Sequence, residues 1–189
     1  MSTPTKTPYS VIAPLAQRLL NALLPYCQRI ALAGSLRRAK LMVGDIEVVA
    51  IPRPQLDLFS HPIVGPTSLD TFLNGRVQFT KNGNRYKQFA YGRHTVDLFL
   101  TTPDTWGSIY TIRTGSADFS HWLVTAQPHG AAPWGLVFQD GRLHAHGRLL
   151  STPEEADVFA AVGLAYIEPA ERTGPLPNAP RIEPIWNYA

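Results

Sequence analysis

The chain has 189 residues, 44% of them hydrophobic, enough for one large domain or two small ones, and a formal net charge of +3. Its one cysteine, Cys27, excludes an internal disulfide and a cysteine-based zinc cluster. No apolar run approaches the roughly 18 residues of a membrane span, and the polar start offers no signal-peptide core, so a cytoplasmic protein with no membrane partner is expected. The charge is unevenly spread: residues 1–105 hold 12 Lys+Arg against 6 Asp+Glu and every lysine, whereas residues 106–189 hold 5 against 8. A polyanionic partner is therefore expected on the N-terminal part.

In chain order, the Ser/Thr/Pro-rich residues 1–8 read as a disordered tail. Ser10 can cap a helix running to about Leu24, with Val11, Leu15, Leu19 and Leu23 on one face, Pro14 in the first turn and Pro25 as its end. A short strand at 29–33 leads into a Gly34-Ser35 turn, followed by Arg37, Arg38 and Lys40. The second strand, 45–51, opens with Asp45 and Glu47, and its near-continuous apolar run implies burial on both faces. Residues two apart on a strand point the same way, so these two acids share a face.

Residues 52–74 read as a Pro-rich loop with one helical turn at 68–73. A strand at 77–79, an Asn82-Gly83 hairpin turn and a strand at 85–91 follow. After Gly92-Arg93 comes a strand at 95–100, with Thr95, Asp97 and Phe99 on one face and Val96, Leu98 and Leu100 toward the core. A helix capped by Asp104 runs through Thr111. Beyond it stand a Thr114-Gly115-Ser116 turn, a helix started by Ser116 or Asp118 and running through Val124, and a hairpin of 135–138 with 142–145 about Asp140-Gly141. Thr152-Pro153-Glu154-Glu155 opens a last helix, closed by Gly163. The Pro-punctuated segment 173–189 is extended, with Ile185, Trp186 and Tyr188 docking it on the body.

Two carboxylates abreast repel unless a cation or proton lies between them. Hard divalent ions take such oxygens and leave positions for phosphate oxygens, and a Gly-Ser turn backed by guanidinium groups is an anion cradle. Taken alone, Asp45-Ile46-Glu47 reads equally well as a pair of solvated strand-end acids. Lys81, Arg85, Lys87 and Arg93, interleaved with Tyr86, Phe89 and Tyr91, read either as a solvated sheet edge or as a track for nucleic-acid phosphates. His144 and His146 share a hairpin face but lack further zinc ligands, and the chain has no P-loop.

The run Gly34-Ser35-Leu36-Arg37-Arg38, then Gly44-Asp45-Ile46-Glu47, is followed by Asp97 on an apolar strand, Thr114-Gly115-Ser116, and a hairpin and helix between Gly141 and Arg172. In this order, over about residues 9–172, the pattern resembles the family X DNA polymerases, the DNA polymerase beta-like nucleotidyltransferases. The resemblance implies an α+β fold: a nucleotidyltransferase palm of mixed sheet with helices (9–105), then a small α+β thumb (106–172). It implies that Asp45 and Glu47 hold two Mg²⁺ ions, with Mn²⁺ as a substitute, and that Asp97 holds the one that activates a primer 3′-hydroxyl. It places Gly34, Ser35, Arg38 and Gly44 at the triphosphate, and Ile112, Arg113 and Gly115 at the incoming sugar. Lys81, Arg85, Lys87, Arg93 and His94 are expected toward DNA.

There are departures. Glu47 stands where the family generally has Asp. Ile112-Arg113 replace two aromatic residues, Ala117 and Ser120 replace Asp and Asn, and Thr95, beside His94, replaces an Arg. One helix precedes the palm, so the family's N-terminal lyase domain is expected to be missing. The expected activity is Mg²⁺-dependent, template-directed addition of nucleotides from nucleoside triphosphates to the 3′-hydroxyl of primed or gapped DNA, by a monomer, filling short gaps in repair. A nucleotidyltransferase acting on a small molecule, RNA or protein, and a non-catalytic DNA-binding module, are the alternatives.

Overall fold

Residues 6–184 are described by the computed structural model of the chain, and they fall into two units. The first runs up to Leu36 and resumes over Lys40–Thr101; the second takes Arg37–Ala39 and everything from Thr102 onward. The fold is mixed α+β.

In the first unit, β1 (Thr7–Pro8) enters α1 (Tyr9–Leu23), which leads to β2 (Cys27–Leu32), α2 (Gly34–Arg37), β3 (Met42–Val43) and β4 (Ile46–Pro52). After a long loop come α3 (Ser68–Leu73), β5 (Phe79–Asn82), β6 (Tyr86–Tyr91) and β7 (His94–Leu100). Five strands form one mixed sheet in the order β2-β4-β7-β6-β5, in which β4 and β7 run parallel and the other pairs antiparallel. Alternation divides the sheet faces. Ile46, Val48 and Ala50 of β4, Val96 and Leu98 of β7, and Phe89 of β6 pack with Ile12, Ala16, Leu19 and Leu23 of α1 and with Leu69 and Leu73 of α3. The residues between them, Glu47 and Asp97 included, are thereby turned to the opposite face.

The buried line of α1 differs from the sequence reading. It runs through Ile12, Ala16, Leu19 and Leu23, and Val11 is 48% exposed. Steps of four overshoot a turn of about 3.6 residues and drift around the helix, whereas steps of four, three and four hold one face. Ser10 does not cap the helix; Pro8 holds that position with no side-chain bond. The tail expected to be disordered through residue 8 ends earlier, because Thr7 and Pro8 pair with Val43 and Met42. The strand expected at 77–79 begins at Phe79 and extends through Asn82, so the hairpin turn moves to 83–85. Helix α3 falls where the sequence placed it, since Thr67 and Asp70 form a reciprocal capping box. Burial pushes the Asp70 carboxyl up, but hydrogen bonds from Lys87 and Thr67 outweigh it and hold Asp70 below the ordinary carboxylate value.

In the second unit a short 3-10 turn, Pro103–Thr105, precedes α4 (Trp106–Thr114) and α5 (Ala117–Val124). An antiparallel sheet of β8 (Leu136–Gln139), β9 (Arg142–Ala145) and β10 (Arg148–Leu150) follows, and then α6 (Glu155–Val162). Phe119, Trp122, Leu123, Leu136, Leu143, Phe159 and Leu164 form its core. Thr102, not Asp104, opens the 3-10 turn, and Asp104 instead accepts through its carbonyl from Thr152 N at 2.8 Å. Strand β10 was not expected; it follows a second tight turn in which His146 and Gly147 take positive φ, as Asp140 and Gly141 do in the first.

Helix α6 starts two residues later than the sequence reading placed it. Thr152 is buried with its Oγ1 2.6 Å from Ser108 Oγ, and Glu154 becomes the cap, its N–H donating to Asp157 Oδ2 at 2.7 Å. Toward the C-terminus Arg181 bridges to Leu164; the expected docking residues Ile185, Trp186 and Tyr188 lie outside the described residues. Among the described residues no helix is long and apolar enough to cross a membrane.

Candidate active site

The parallel pairing of β4 with β7 sets Glu47 directly opposite Asp97. Neighbouring strands lie about 4.8 Å apart, so the two carboxylates stand abreast on the sheet face away from α1 and α3. Asp45 follows Gly44 immediately before β4 begins. The Glu47 carboxyl lies against Gly34: a Cβ there would come 1.5 Å from Glu47 Oε2, and Gly34 has a φ of +58°. Space and backbone thus both require glycine. Gly34→Ala should push the Glu47 carboxyl out of place and cost about 1–2 kcal/mol for the left-handed backbone alone. Urea unfolding and turnover should therefore fall together, and a variant of unchanged stability would contradict this.

The expected Gly-Ser turn is the first turn of α2. Within it Ser35 Oγ is buried and has no hydrogen-bond partner among the described residues. A desolvated hydroxyl of this kind is costly unless something from outside pairs with it, and an anionic oxygen suits a hydroxyl donor.

Asp97 is held from β6. The Tyr86 hydroxyl donates to its Oδ1 at 2.5 Å, the Gln88 amide donates to the same oxygen at 2.8 Å, and that amide also donates to Tyr86 Oη at 3.0 Å. Tyr86 in turn stacks on Phe99. The sequence reading put Tyr86 in an aromatic hairpin and passed over Gln88. The register that sets Gln88 opposite Asp97 was the missing signal, since it turns Tyr86 and Gln88 onto the face of Asp97.

The basic track is only partly on the surface. Lys81, Arg85 and Arg93 are exposed. Lys87 is 5% exposed and turned inward with Phe89, its Nζ 2.8 Å from Asp70 Oδ1 and donating to Asn82 Oδ1 at 2.6 Å. His94 is buried as well. Neither is placed to lie along a surface track.

The remaining candidates belong to the second unit. Arg37, read as part of the anion cradle, is committed elsewhere. It donates to Glu155 Oε1 at 2.7 Å and Oε2 at 2.6 Å and to Thr114 Oγ1 at 2.7 Å, and lies 3.8 Å over the Tyr110 ring. Arg172, fully buried, donates to Glu155 Oε1 at 2.6 Å and from Nε to the Ile167 carbonyl at 2.9 Å. Glu155, read as a helix-start acid, is the centre of a buried ion cluster. Nothing local in the sequence marked it. Arg38 donates to the Thr114 carbonyl, at the end of α4.

Arg113 is exposed on the last turn of α4 and Ile112 is half-buried. Gly115 ends that helix where a Cβ would come 2.5 Å from Phe119 Cδ1. Ser116 caps α5 by accepting from Phe119 N, and Ser120 Oγ donates to the Ile112 carbonyl at 2.6 Å. Thr114-Gly115-Ser116 is therefore a helix-to-helix corner, and Ser120 ties it shut.

Among the described residues no three acidic, histidine or cysteine side chains are gathered into a metal cage. Mg²⁺ characteristically takes one or two carboxylates, waters and substrate phosphates rather than an all-protein cage. Glu47 and Asp97, abreast and supplying hard oxygens, fit that pattern of donors.

Paired strand carboxylates beside a glycine-led turn with an unsatisfied hydroxyl suit metal-assisted chemistry on phosphate esters. No family model matches the chain. It is similar to DNA polymerase lambda of Rattus norvegicus, with 28% identity over 159 residues, covering 74% of this chain. The match spans only 28% of that polymerase's length. The similarity supports a relationship to DNA polymerases and nucleotidyltransferases.

Proposed function

We propose that the chain is a family X-type DNA polymerase, adding nucleotides to a primer 3′-hydroxyl and filling short gaps during repair. The reading is carried by the register that puts Glu47 opposite Asp97, with Gly34 making room for the Glu47 carboxyl. Asp45, Glu47 and Asp97 would hold Mg²⁺, whose charge, when bound, acidifies the attacking hydroxyl and neutralises the phosphate oxygens. The protein's own part is positioning. Tyr86 and Gln88 fix Asp97 through Oδ1. The Ser35 hydroxyl would donate to the triphosphate and, with Gly34 and Gly44, form its bed. Exposed Lys81, Arg85 and Arg93 would hold the DNA backbone, and Arg113 and Gly115 would face the incoming sugar.

The test is primer extension on a one-nucleotide gap with Mg²⁺, run beside nucleotide transfer to RNA, protein and small-molecule acceptors. Template-matched incorporation supports the reading. Transfer only to the other acceptors would assign the site to a non-polymerase nucleotidyltransferase.

Sugar choice follows from the same segment. Rejecting an added hydroxyl by packing alone is limited to roughly a hundredfold, and at the sugar side this chain offers Ile112 and the flexible, exposed Arg113. The kcat/KM preference for a matched deoxynucleotide over the ribonucleotide should therefore be modest. A preference of thousands that survives Arg113→Ala would place the discrimination elsewhere.

A further inference from the structure

Between β4 and α3 the chain forms a loop that displays apolar side chains. Leu56 is 55% exposed, Leu58 92%, Phe59 77%, Ile63 47% and Val64 102%. Scattered single exposures need no explanation, but a contiguous apolar patch does. Nor is this patch a slack segment. Ile63 N donates to the Gln55 carbonyl at 2.8 Å, Asp57 N to that of His61 at 2.9 Å, and Ser60 N to that of Asp57 at 3.0 Å. The Asp57 carboxylate accepts from the backbone N–H of both Phe59 and His61 at 2.8 Å. Leu56 bridges Pro62 across the loop, and Gln55 fastens its base to Thr71 on α3. The backbone is satisfied and fixed, so the leucines and phenylalanine are held out in water instead of folding back onto the core. Preorganised display of this kind lowers the entropic cost of binding.

The composition selects the kind of partner. Residues 55–64, Gln-Leu-Asp-Leu-Phe-Ser-His-Pro-Ile-Val, contain no lysine or arginine. They therefore do not suit nucleic-acid phosphates, and they lack the basic and tryptophan flanks of a membrane-surface segment. Two leucines and an aromatic within four residues suit a protein groove with adjoining apolar pockets, the usual way short peptides are read.

The reading as a polymerase narrows the partner further, and the docking assigned to this loop rests on that reading. The net charge is only +3, and Lys87 is withdrawn into an ion pair, so few phosphate contacts are offered to DNA and binding should be weak and salt-sensitive. A partner already held on DNA would raise the local concentration of the chain at a primer end to the millimolar range, on the order of a short tether. We propose that residues 55–59 dock into the apolar groove of a sliding clamp, the ring protein that encircles duplex DNA and tethers polymerases to it.

The experiment measures binding of the full chain to the purified sliding clamp of the same organism by surface plasmon resonance, without DNA or nucleotide. The expected result is micromolar binding that falls at least about tenfold in the double variant Leu58→Ser, Phe59→Ser. Leu149→Ser, which changes an exposed leucine of β10, should leave it unchanged. Gap filling on naked DNA should be the same in all three proteins, and stimulation by the loaded clamp should be lost only in the double variant.

No binding by the wild-type chain, or equal binding by the double variant, overturns the proposal. So does self-association in sedimentation that the double variant abolishes, which would make a second copy the occupant. Loop-dependent binding to phosphatidylcholine–phosphatidylglycerol vesicles, with none to the clamp, would assign the loop to a membrane and equally overturn it. Clamp binding with no gap filling would leave the docking standing and remove the polymerase reading; gap filling without clamp binding would do the reverse.

Discussion

Asp97→Asn should lower nucleotide transfer by on the order of a thousandfold or more while leaving the protein folded. Asparagine keeps the shape of the side chain and a carbonyl oxygen in place of Oδ1, so the Tyr86 hydroxyl and the Gln88 amide keep their acceptor. What is lost is the charge. A metal at the active site supplies several kcal/mol of charge stabilisation, and each 1.36 kcal/mol is a factor of about ten in rate. Asp97 also stands opposite Glu47, so removing one of two like charges relieves repulsion, and the melting temperature should hold or rise. Single-turnover incorporation in Mg²⁺ and a thermal melt on the same sample test both halves. Near-normal turnover would remove the metal-assisted mechanism, and a collapsed melt would show that Asp97 is mainly a structural acceptor.

The second large effect is on stability. Glu155→Ala should destabilise the protein by about 3–5 kcal/mol, the usual cost of deleting one partner from a buried ion pair. Arg172 is fully buried and Arg37 partly so, and both lose their carboxylate. The sign of the pH dependence follows from the same contacts. Burial pushes the Glu155 carboxyl up, but hydrogen bonds from Arg37 and Arg172 outweigh it, so the folded protein holds its pKa below the ordinary 4.5. The stabilisation is therefore complete above about pH 4.5 and is lost as pH falls through the depressed folded value. Urea midpoints at neutral pH should drop sharply in Glu155→Ala, and wild type should lose more stability on acidification than Glu155→Gln, which has no proton to take up. Equal acid sensitivity in the two would mean that other carboxylates govern acid unfolding.

The parts of the fold legible in the sequence are those with local causes. Strand β4 announces itself by its Val/Ile run, β7 by Val96, Leu98 and Leu100 alternating about Asp97, and α3 by the Thr67–Asp70 cap. The hairpin at Asp140-Gly141 rests on residues that tolerate positive φ, and both adopt it. What escaped depends on partners far along the chain. Lys87 shares a face with Phe89, as alternation requires, but its burial needs Asp70 to arrive from the preceding loop. Glu155 looked like a dipole-complementing acid until Arg37, 118 residues away, and Arg172 closed on it. The acids at 45, 47 and 97 could be picked out as a set, yet the partners that aim Asp97 emerged only from the pairing of β6 with β7.

The second unit borrows Arg37–Ala39 from a stretch otherwise enclosed by the first. A fragment ending at Thr101 would carry Arg37 without Glu155, and one beginning at Thr102 would keep Glu155 and Arg172 but forfeit the other cation. Neither piece can be traded between genes as a contiguous cassette. During synthesis the Arg37 guanidinium emerges more than a hundred residues ahead of its carboxylate, so the second unit cannot close until α6 has left the ribosome.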